Sequence, residues 1–145
     1  MNIYGPYFYR ERFWNNIFSL DCLKICRLFL VGDLNFSMGL SEVWGERACV
    51  DFLSDFFVVQ LAGFGLVDID PFVLSPTWTN IRVGSDNISK RLDRLPVSSD
   101  LLDLDYHIRQ WAGCGWDSDH QRFFFRSFQI LLNLEPLSNL MHISY

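Results

Sequence analysis

The sequence predicts a single α/β domain on three observations. The chain has 145 residues, which is the length of one ordinary domain. Half of the residues are hydrophobic and 17% are aromatic, so there is enough apolar material for a core and a disordered chain is excluded. Strand-like runs alternate with segments of helical periodicity, and no repeat, low-complexity run or linker divides the chain.

The N-terminal third predicts a strand end, a helix and a buried strand. Residues 2–4 are typical of a strand end that the following Gly-Pro pair breaks. Phe13, Ile17 and Leu20 recur at near-helical spacing, which predicts a helix. The run at 28–31 is short, continuously apolar and stopped by Gly-Asp, so it predicts a strand buried on both faces.

An amphipathic helix is predicted over residues 46–62. Apolar residues recur there at helical spacing on one face: Ala48, Phe52, Phe56 and Val59. The glycines at 63 and 65 end this helix.

The second half predicts short strands joined by turns. The strands are 66–69, 77–81, 90–97 and 123–128, with a turn at 84–89 and a short helix or turn at 99–108. Residues 90–97 form the hairpin partner of 77–81. Pro96 cannot donate a backbone hydrogen bond, which pushes that end of the strand to a sheet edge or a bulge.

Charge and composition limit the partners and the compartment. A net charge of -5 argues against passive coating of nucleic acid, although an enzyme acting on phosphodiesters is compatible with it. There is no membrane-length apolar segment and no secretory leader, so we expect an intracellular protein with no membrane contact. Cys22, Cys26, Cys49 and Cys114 lack disulfide or zinc spacing and are expected to be free and mostly buried thiols.

The first candidate motif for chemistry is Gly-Asp-Leu-Asn at 32–35. Asp33 and Asn35 are two residues apart, so on an extended segment they point to the same side. A carboxylate beside an amide suits a hard divalent cation and a water to be activated. The alternative is an ordinary turn, for which Asp-x-Asn is also typical.

Two further motifs place charged side chains near a histidine. Asp119 and His120 could hold a metal or a water while the imidazole donates to a phosphoryl oxygen, or the pair could be purely structural. On a regular strand Arg91 and Asp93 face one side, and Asp93 reaching His120 would fix its tautomer. The alternative for residues 90–94 is an exposed charged edge that blocks aggregation.

These motifs resemble the endonuclease/exonuclease/phosphatase superfamily, which includes apurinic endonucleases, DNase I-like nucleases and inositol polyphosphate phosphatases. In chain order they are Asn2-x-Tyr4-x-Pro6, Gly-Asp-Leu-Asn, Leu66-Val67-Asp68, Thr77-Trp78-x-Asn80, Arg91-Leu92-Asp93-Arg94 and Ser118-Asp119-His120. Trp14, Glu42, Gly45 and the Thr-Trp-Thr-Asn run are similar to the endonuclease domain of plant LINE-type (non-LTR) retroelements. The resemblance runs from Asn2 to Phe125, most of the chain.

The resemblance implies a fold, an activity and a cofactor. The fold is a DNase I-like two-sheet β-sandwich flanked by helices, present here only as its C-terminal part over residues 1–126, with 127–145 an unassigned tail. The activity is metal-assisted hydrolysis of a phosphodiester with Mg²⁺ or Mn²⁺. DNA is the expected substrate class, because Arg82, Lys90, Arg91 and Arg94 could track a phosphate backbone from one hairpin, although they could equally form a solvated face.

Residue roles also follow from the resemblance. It implies catalytic roles for Tyr4, Asp33, Asn35, Asp93 and His120, a metal ligand in Asp119, and substrate contacts for Asn2, Asn80 and Arg91. In these roles Asp33 deprotonates the attacking water, Asp93 orients His120, and His120 stabilises charge on the phosphoryl oxygens.

The chain carries no counterpart of the superfamily's N-terminal half, which holds the principal metal-binding Glu. We therefore expect this chain to be inactive alone, with an exposed sheet edge and apolar surface that a missing half or a protein partner would cover. One alternative is a non-catalytic remnant or interaction module. Another is an unrelated small α/β domain in which the motifs are accidental.

Overall fold

The computed structural model describes residues 9–25, 27–104, 106–113, 119–129 and 139–142. Its helices are α1 (Arg10–Phe18), α2 (Cys22–Ile25), α3 (Ser54–Gly63) and α4 (Ser99–Leu102), with 3₁₀ turns at Leu40–Glu42 and Gly84–Asp86. Its strands are β1 (Gly32–Asp33), β2 (Val43–Trp44), β3 (Leu66–Asp68), β4 (Trp78–Thr79), β5 (Ser89–Lys90), β6 (Asp93–Arg94), β7 (Pro96–Ser98), β8 (Tyr106–Gly113), β9 (Arg122–Gln129) and β10 (Asn139–His142). Helices mixed with small antiparallel sheets confirm the predicted α/β character.

Neighbouring strands in all the described sheets are antiparallel. Within the described residues the strand orders are β1-β6, β2-β5-β4, β3-β7 and β8-β9-β10. The β1-β6 pair continues on both sides, because Leu30 N–H donates to the Pro96 carbonyl at 2.8 Å and Leu34 N–H donates to the Leu92 carbonyl at 3.0 Å. Residues 28–34 therefore run beside residues 92–98, and β7 is flanked by this segment and by β3.

Two apolar clusters lie on either side of this central ladder. One packs around Trp14, Phe36 and Phe57. The other contains Val31, Leu95, Val97, Leu101, Phe123 and Phe125. Leu30 belongs to the first cluster and Val31 to the second, so the prediction that residues 28–31 are buried on both faces is confirmed, although the regular strand begins only at Gly32.

Helix α3 is shorter than predicted and buries a different face. It begins at Ser54, because the Asp51 carboxylate is held by Arg10 and in turn accepts the Leu53 N–H at 3.0 Å. Phe57 and Leu61 point into the core, while Phe52 precedes the helix and is 77% exposed. The predicted face was wrong because Ser54–Gly63 is apolar on almost every side, so its periodicity does not select one.

Several predictions for the second half are confirmed, and others are corrected. Strand β3, the β4-β5 hairpin, the turn near residue 85 and strand β9 occur where they were expected. Pro96 is buried as the first residue of β7 rather than at an edge, and the ladder is interrupted at Leu95. Strand β8 was not predicted. Strand β9 crosses the expected boundary at residue 126, and residues 139–142 pair with it.

The described free cysteines and several large apolar side chains are exposed on the surface. Cys22 and Cys49 are free as expected, but both are exposed, so the prediction of burial was wrong for them; Cys26 and Cys114 lie outside the described residues. Exposed apolar side chains include Tyr9, Phe52, Phe72, Ile81 and Val83. In the part of the chain that is described, no helix is long and apolar enough to cross a bilayer.

Candidate functional site

A cavity of about 420 Å³ lies beside the first core, and a second cavity, of about 390 Å³, gathers most of the residues singled out in the sequence. The second cavity is lined by Arg10, Asp33, Asn35, Trp78, Asn80, Ile88, Lys90, Leu92, Asp119 and His120. Asn2, Tyr4 and Ser118 lie outside the described residues. Residues of four predicted motifs, separated by up to 87 positions in the chain between residues 33 and 120, therefore meet at one place.

The centre of the site is a histidine between two carboxylates. His120 Nδ1 lies 3.2 Å from Asp93 Oδ2, and its Nε2 lies 3.6 Å from Asp33 Oδ2. Both aspartates are buried, and the imidazole is partly exposed to the cavity. The predicted contact between Asp93 and His120 is thus present, and with Nδ1 as the donor it leaves Nε2 directed at Asp33.

Backbone pairing explains why these three side chains meet. Asp33 and Asp93 are direct partners in the β1-β6 ladder, so their Cα atoms lie side by side. His120 is brought in by an antiparallel bridge to Trp78, supported by a hydrogen bond from Gln121 N–H to the Thr77 carbonyl at 2.7 Å.

Thr77 anchors the same region through its side chain. Its hydroxyl oxygen accepts the backbone N–H groups of Leu92 and Asp93, each at 3.0 Å. These bonds are made where the chain leaves β5 and enters β6, outside a regular ladder, so the strict side-chain alternation predicted for residues 90–94 does not hold. Asp93 turns toward His120, whereas Arg91 and Arg94 both turn away to Glu42 and Asp68.

The environment of Asp33 disfavours its charge. Burial, and next the negative charge of Asp93, raise the pKa of Asp33 to about 6. The Asn35 N–H, which donates to Asp33 Oδ1 at 2.8 Å, opposes this shift and orients the carboxylate. Asn35 itself has φ of 56°, a left-handed conformation that Asn tolerates better than most residues. Asp33 is therefore a carboxylate poised to exchange a proton near neutral pH.

The environment of His120 has the opposite effect on charge. Burial alone would lower the pKa of His120, but the hydrogen bond and charge of Asp93, together with Asp33 and Asp119, outweigh burial and raise that pKa. The imidazolium form is thereby favoured by three neighbouring aspartates, two of which line the cavity. A protonated histidine in this position can donate to an oxyanion.

Asp119 and Asn80 are both held by neighbouring groups. The Trp78 indole N–H donates to Asp119 Oδ2 at 2.9 Å. Asn80 lines the cavity, but its amide bonds organise the following loop: Nδ2 donates to the Asp86 carbonyl, and Oδ1 accepts the N–H groups of Arg82 and Ile88. Asn80 thus positions a loop at the rim of the cavity.

Arg91 and Arg94 lie outside the cavity. Both guanidinium groups are buried in an ion cluster with Glu42 and Asp68. The prediction that these two arginines belong to an exposed basic hairpin was therefore wrong. The reason is that Glu42 and Asp68, which are distant in sequence, neutralise them in the interior.

The cavity also contains residues to which no role was assigned from the sequence. One of them is Trp78, which belongs to the Thr-Trp motif, so a signal for it was present. Arg10 lines the cavity while donating to Asp51 and to the Asn35 carbonyl at 2.6 Å, and nothing in the sequence around it indicated this contact.

The described residues do not by themselves fit a magnesium or manganese ion. No group of three or more His, Cys, Asp or Glu side chains among them is arranged to hold a metal. Asp93 Oδ1 is buried, accepts no hydrogen bond from described residues and does not line the cavity, while Asp119 Oδ2 is engaged by Trp78.

Comparison of the chain with models of known protein families and with curated protein sequences finds no match.

Proposed function

We propose that this chain carries the aspartate–histidine part of a phosphodiester hydrolase of the endonuclease/exonuclease/phosphatase type, with a DNase I-like arrangement and a LINE retroelement character. DNA is the proposed substrate class. The observation that carries the proposal is the meeting of Asp33, Asp93 and His120 around one cavity. The motifs that supply these residues occur in the order that the resemblance requires.

The chemistry of the three side chains suits attack by water on phosphorus. With its raised pKa, Asp33 can accept a proton from a water in the cavity as the water oxygen forms its bond to phosphorus. His120, held protonated by Asp93, can donate to a phosphoryl oxygen and stabilise the charge that grows there. The bond to the leaving oxygen breaks, and that oxygen takes a proton from solvent.

The cavity also offers positive charge for binding a phosphodiester. Lys90 lines its wall, and Arg82 is exposed on the adjoining loop, whereas the charge of Arg10 is already paired with Asp51. Cations of this kind position a nucleic-acid backbone without reading its sequence. Mg²⁺ or Mn²⁺ enters the proposal through the resemblance alone, because the described residues do not form its ligand set.

A second candidate is a non-catalytic binding module that keeps the site but does not turn over substrate. The absence of a metal-holding group among the described residues favours it for this 145-residue chain. The two candidates differ in turnover, and they share the prediction that a phosphodiester binds in the cavity.

Nicking of supercoiled plasmid by the purified chain in Mg²⁺ separates the two candidates. Asp119→Ala and His120→Ala serve as site variants, EDTA removes the metal, and Asp103→Ala on the exposed α4–β8 connection is the matched control. Circular dichroism establishes that each variant is folded.

Each outcome decides between the candidates. Nicking that needs metal and disappears in both site variants supports the hydrolase. No nicking, combined with binding of a phosphorothioate dinucleotide that His120→Ala weakens at least tenfold, supports the binding module. A folded chain that neither nicks nor binds contradicts both.

A further inference from the structure

The outward face of strands β8 and β9 carries alternating aromatic and basic side chains. Direct partners across the two strands are His107 and Phe128, Arg109 and Arg126, and Trp111 and Phe124. The intervening residues, among them Gln110, Phe123 and Phe125, are buried on the opposite face. We call the outward face the β8-β9 platform.

The aromatic members form two pairs of nearly parallel rings. Trp111 and Phe124 stack with centroids 5.9 Å apart and an interplanar angle of 14°, and His107 and Phe128 stack at 5.4 Å and 16°. Trp111 is 40% exposed. Phe124 also lies close to Gly113, where a Cβ atom would come within 2.8 Å of its ring, so the missing side chain leaves room for the ring.

Among the described residues, no acidic side chain pairs with the basic members. Arg109 and Arg126 are directly opposite each other and exposed, and like charges in this position destabilise a sheet. Arg122 adds a third exposed cation on the same face, opposite Gly113. No described salt bridge involves these arginines, and none of the outward residues of either strand is acidic.

From this pattern we propose that the β8-β9 platform binds single-stranded nucleic acid. Backbone phosphates would neutralise the opposed arginines, and unpaired bases would stack on Trp111 and on the Phe128 and His107 rings. Phe124 and Phe128 are four residues apart on one strand, about 13 Å, which suits two or three nucleotides. A chain with a net charge of -5 thus concentrates positive charge on one face.

This surface is separate from the cavity and does not depend on hydrolysis. Arg122 is two residues from His120, so the platform begins beside the proposed catalytic site and extends away from it along β9. A packed protein partner is the less favoured occupant, because an apolar partner would bury the opposed arginines without supplying negative charge.

The test is fluorescence anisotropy of a labelled oligothymidylate of about 15 nucleotides in EDTA, with the full 145-residue chain. Arg126→Gln should weaken binding and reduce the slope of log affinity against log salt by about 0.7, the value for one phosphate contact on a single strand. Trp111→Ala should weaken binding about tenfold through lost stacking. Trp111→Phe should retain most of the affinity.

Matched controls lie on other surfaces of the molecule. Arg12→Gln removes an exposed charge from α1, and Phe72→Ala removes a 95% exposed aromatic ring. Neither should change the affinity appreciably. Since Arg126→Gln relieves a like-charge contact, its thermal midpoint should equal or exceed that of the wild type, which separates lost binding from lost folding.

The platform is rejected if Arg126→Gln and Trp111→Ala remain folded and bind the oligothymidylate as well, or as poorly, as Arg12→Gln does. Equal binding of duplex and single strands, with no effect of Trp111→Ala, also overturns the stacking role. The dinucleotide assay with His120→Ala tests the cavity, whereas the oligothymidylate assay with Arg126→Gln tests the platform, so a failure of the proposed hydrolase and a failure of the platform give different results.

Discussion

Two clusters of buried charge lie on opposite sides of strand β6, and neighbouring residues supply them. Arg94 reaches into the ion cluster, where it and Arg91 contact Glu42 and Asp68. Asp93 points to the cavity, where it contacts His120 beside Asp33. One cluster matches two cations to two buried anions, whereas the other crowds carboxylates around a single imidazole.

The pKa values of Glu42 and Asp33 are shifted in opposite directions, which reflects this difference between the two clusters. Burial would raise the pKa of Glu42, but the hydrogen bond and charge of Arg94 outweigh it and hold that pKa below its ordinary value. Burial and Asp93 raise the pKa of Asp33 to about 6. A buried carboxylate with a matched cation is a structural element, while one without such a match is ready to exchange a proton.

The largest expected effect comes from breaking the ion cluster with Arg94→Met. Removing this guanidinium leaves Glu42 and Asp68 buried with only Arg91, which should destabilise the fold by about 3–5 kcal/mol. Urea denaturation measures the loss. Arg47→Met, which breaks the exposed pair with Asp86, is the control and should cost less than about 1 kcal/mol. Equal losses of stability in Arg94→Met and Arg47→Met would show that the buried ion cluster contributes no more than an exposed ion pair.

Unlike Arg94→Met, the substitution Asp33→Asn should increase the stability of the fold. The folded state holds the Asp33 proton up to a pH of about 6, while the unfolded chain releases it near 3.8, so stability is lost as pH rises between these values. The amide introduced by this substitution does not ionise, and at pH 7 it should stabilise the fold by about 1–3 kcal/mol.

The pH profile of the same variant is the sharper measurement. The stabilisation by Asp33→Asn should vanish near pH 4, whereas Asp103→Asn at an exposed position should change little across the range. If Asp33→Asn is instead destabilised at neutral pH, the ionised Asp33 carboxylate is stabilised by its partners in the folded protein, as the Glu42 carboxylate is.

Asp93→Asn should lower the pKa of His120. The folded pKa is raised, so the stabilisation from this pair is present below the ordinary histidine value and is lost as pH rises through the folded one. An NMR titration of the imidazole Cε1–H follows the change directly. Asp103→Asn, at an exposed position, is the control and should leave the His120 titration unmoved. An unmoved His120 titration in Asp93→Asn would refute the contact.

The smallest expected effect is that of Trp78→Phe. It keeps an aromatic ring but removes the indole donor to Asp119, which should cost about 1 kcal/mol. Urea denaturation measures the loss, with the exposed Trp111→Phe as the comparison. A cost no larger than that of Trp111→Phe would mean that solvent replaces the hydrogen bond.

Elements of the fold that depend on local sequence were predicted, whereas elements that depend on contacts between distant parts of the chain were not. The burial of residues 28–31, the β4-β5 hairpin and strand β9 could be anticipated, because apolar runs and turn residues act locally. Helix α3 was displaced because the Asp51 contact with Arg10, 41 positions away, determines where it begins. Strand β8 was not anticipated, since its outward face carries the mixture of residues that suits the platform and does not show a clean apolar alternation.

The residues of the candidate site also fall into two groups, those that short motifs identified and those that only long-range contacts bring to the site. Asp33, Asp119 and His120 were identified from short motifs, and the contact of Asp93 with His120 was anticipated. Arg91 was misassigned, because the strand alternation that placed it beside Asp93 is broken where Thr77 accepts two consecutive backbone N–H groups. Arg10 was not considered, because only the folded chain brings α1 to the cavity.

The sequence by itself determined the types of side chain available for chemistry, their order along the chain and the apolar segments that must be buried. Only the tertiary structure decided which charges are neutralised and which remain reactive. Asp93 and Arg94 are adjacent in sequence, yet one faces a histidine and the other faces two carboxylates. The energy of a buried charge depends on partners that lie tens of residues away, and no local pattern specifies those partners.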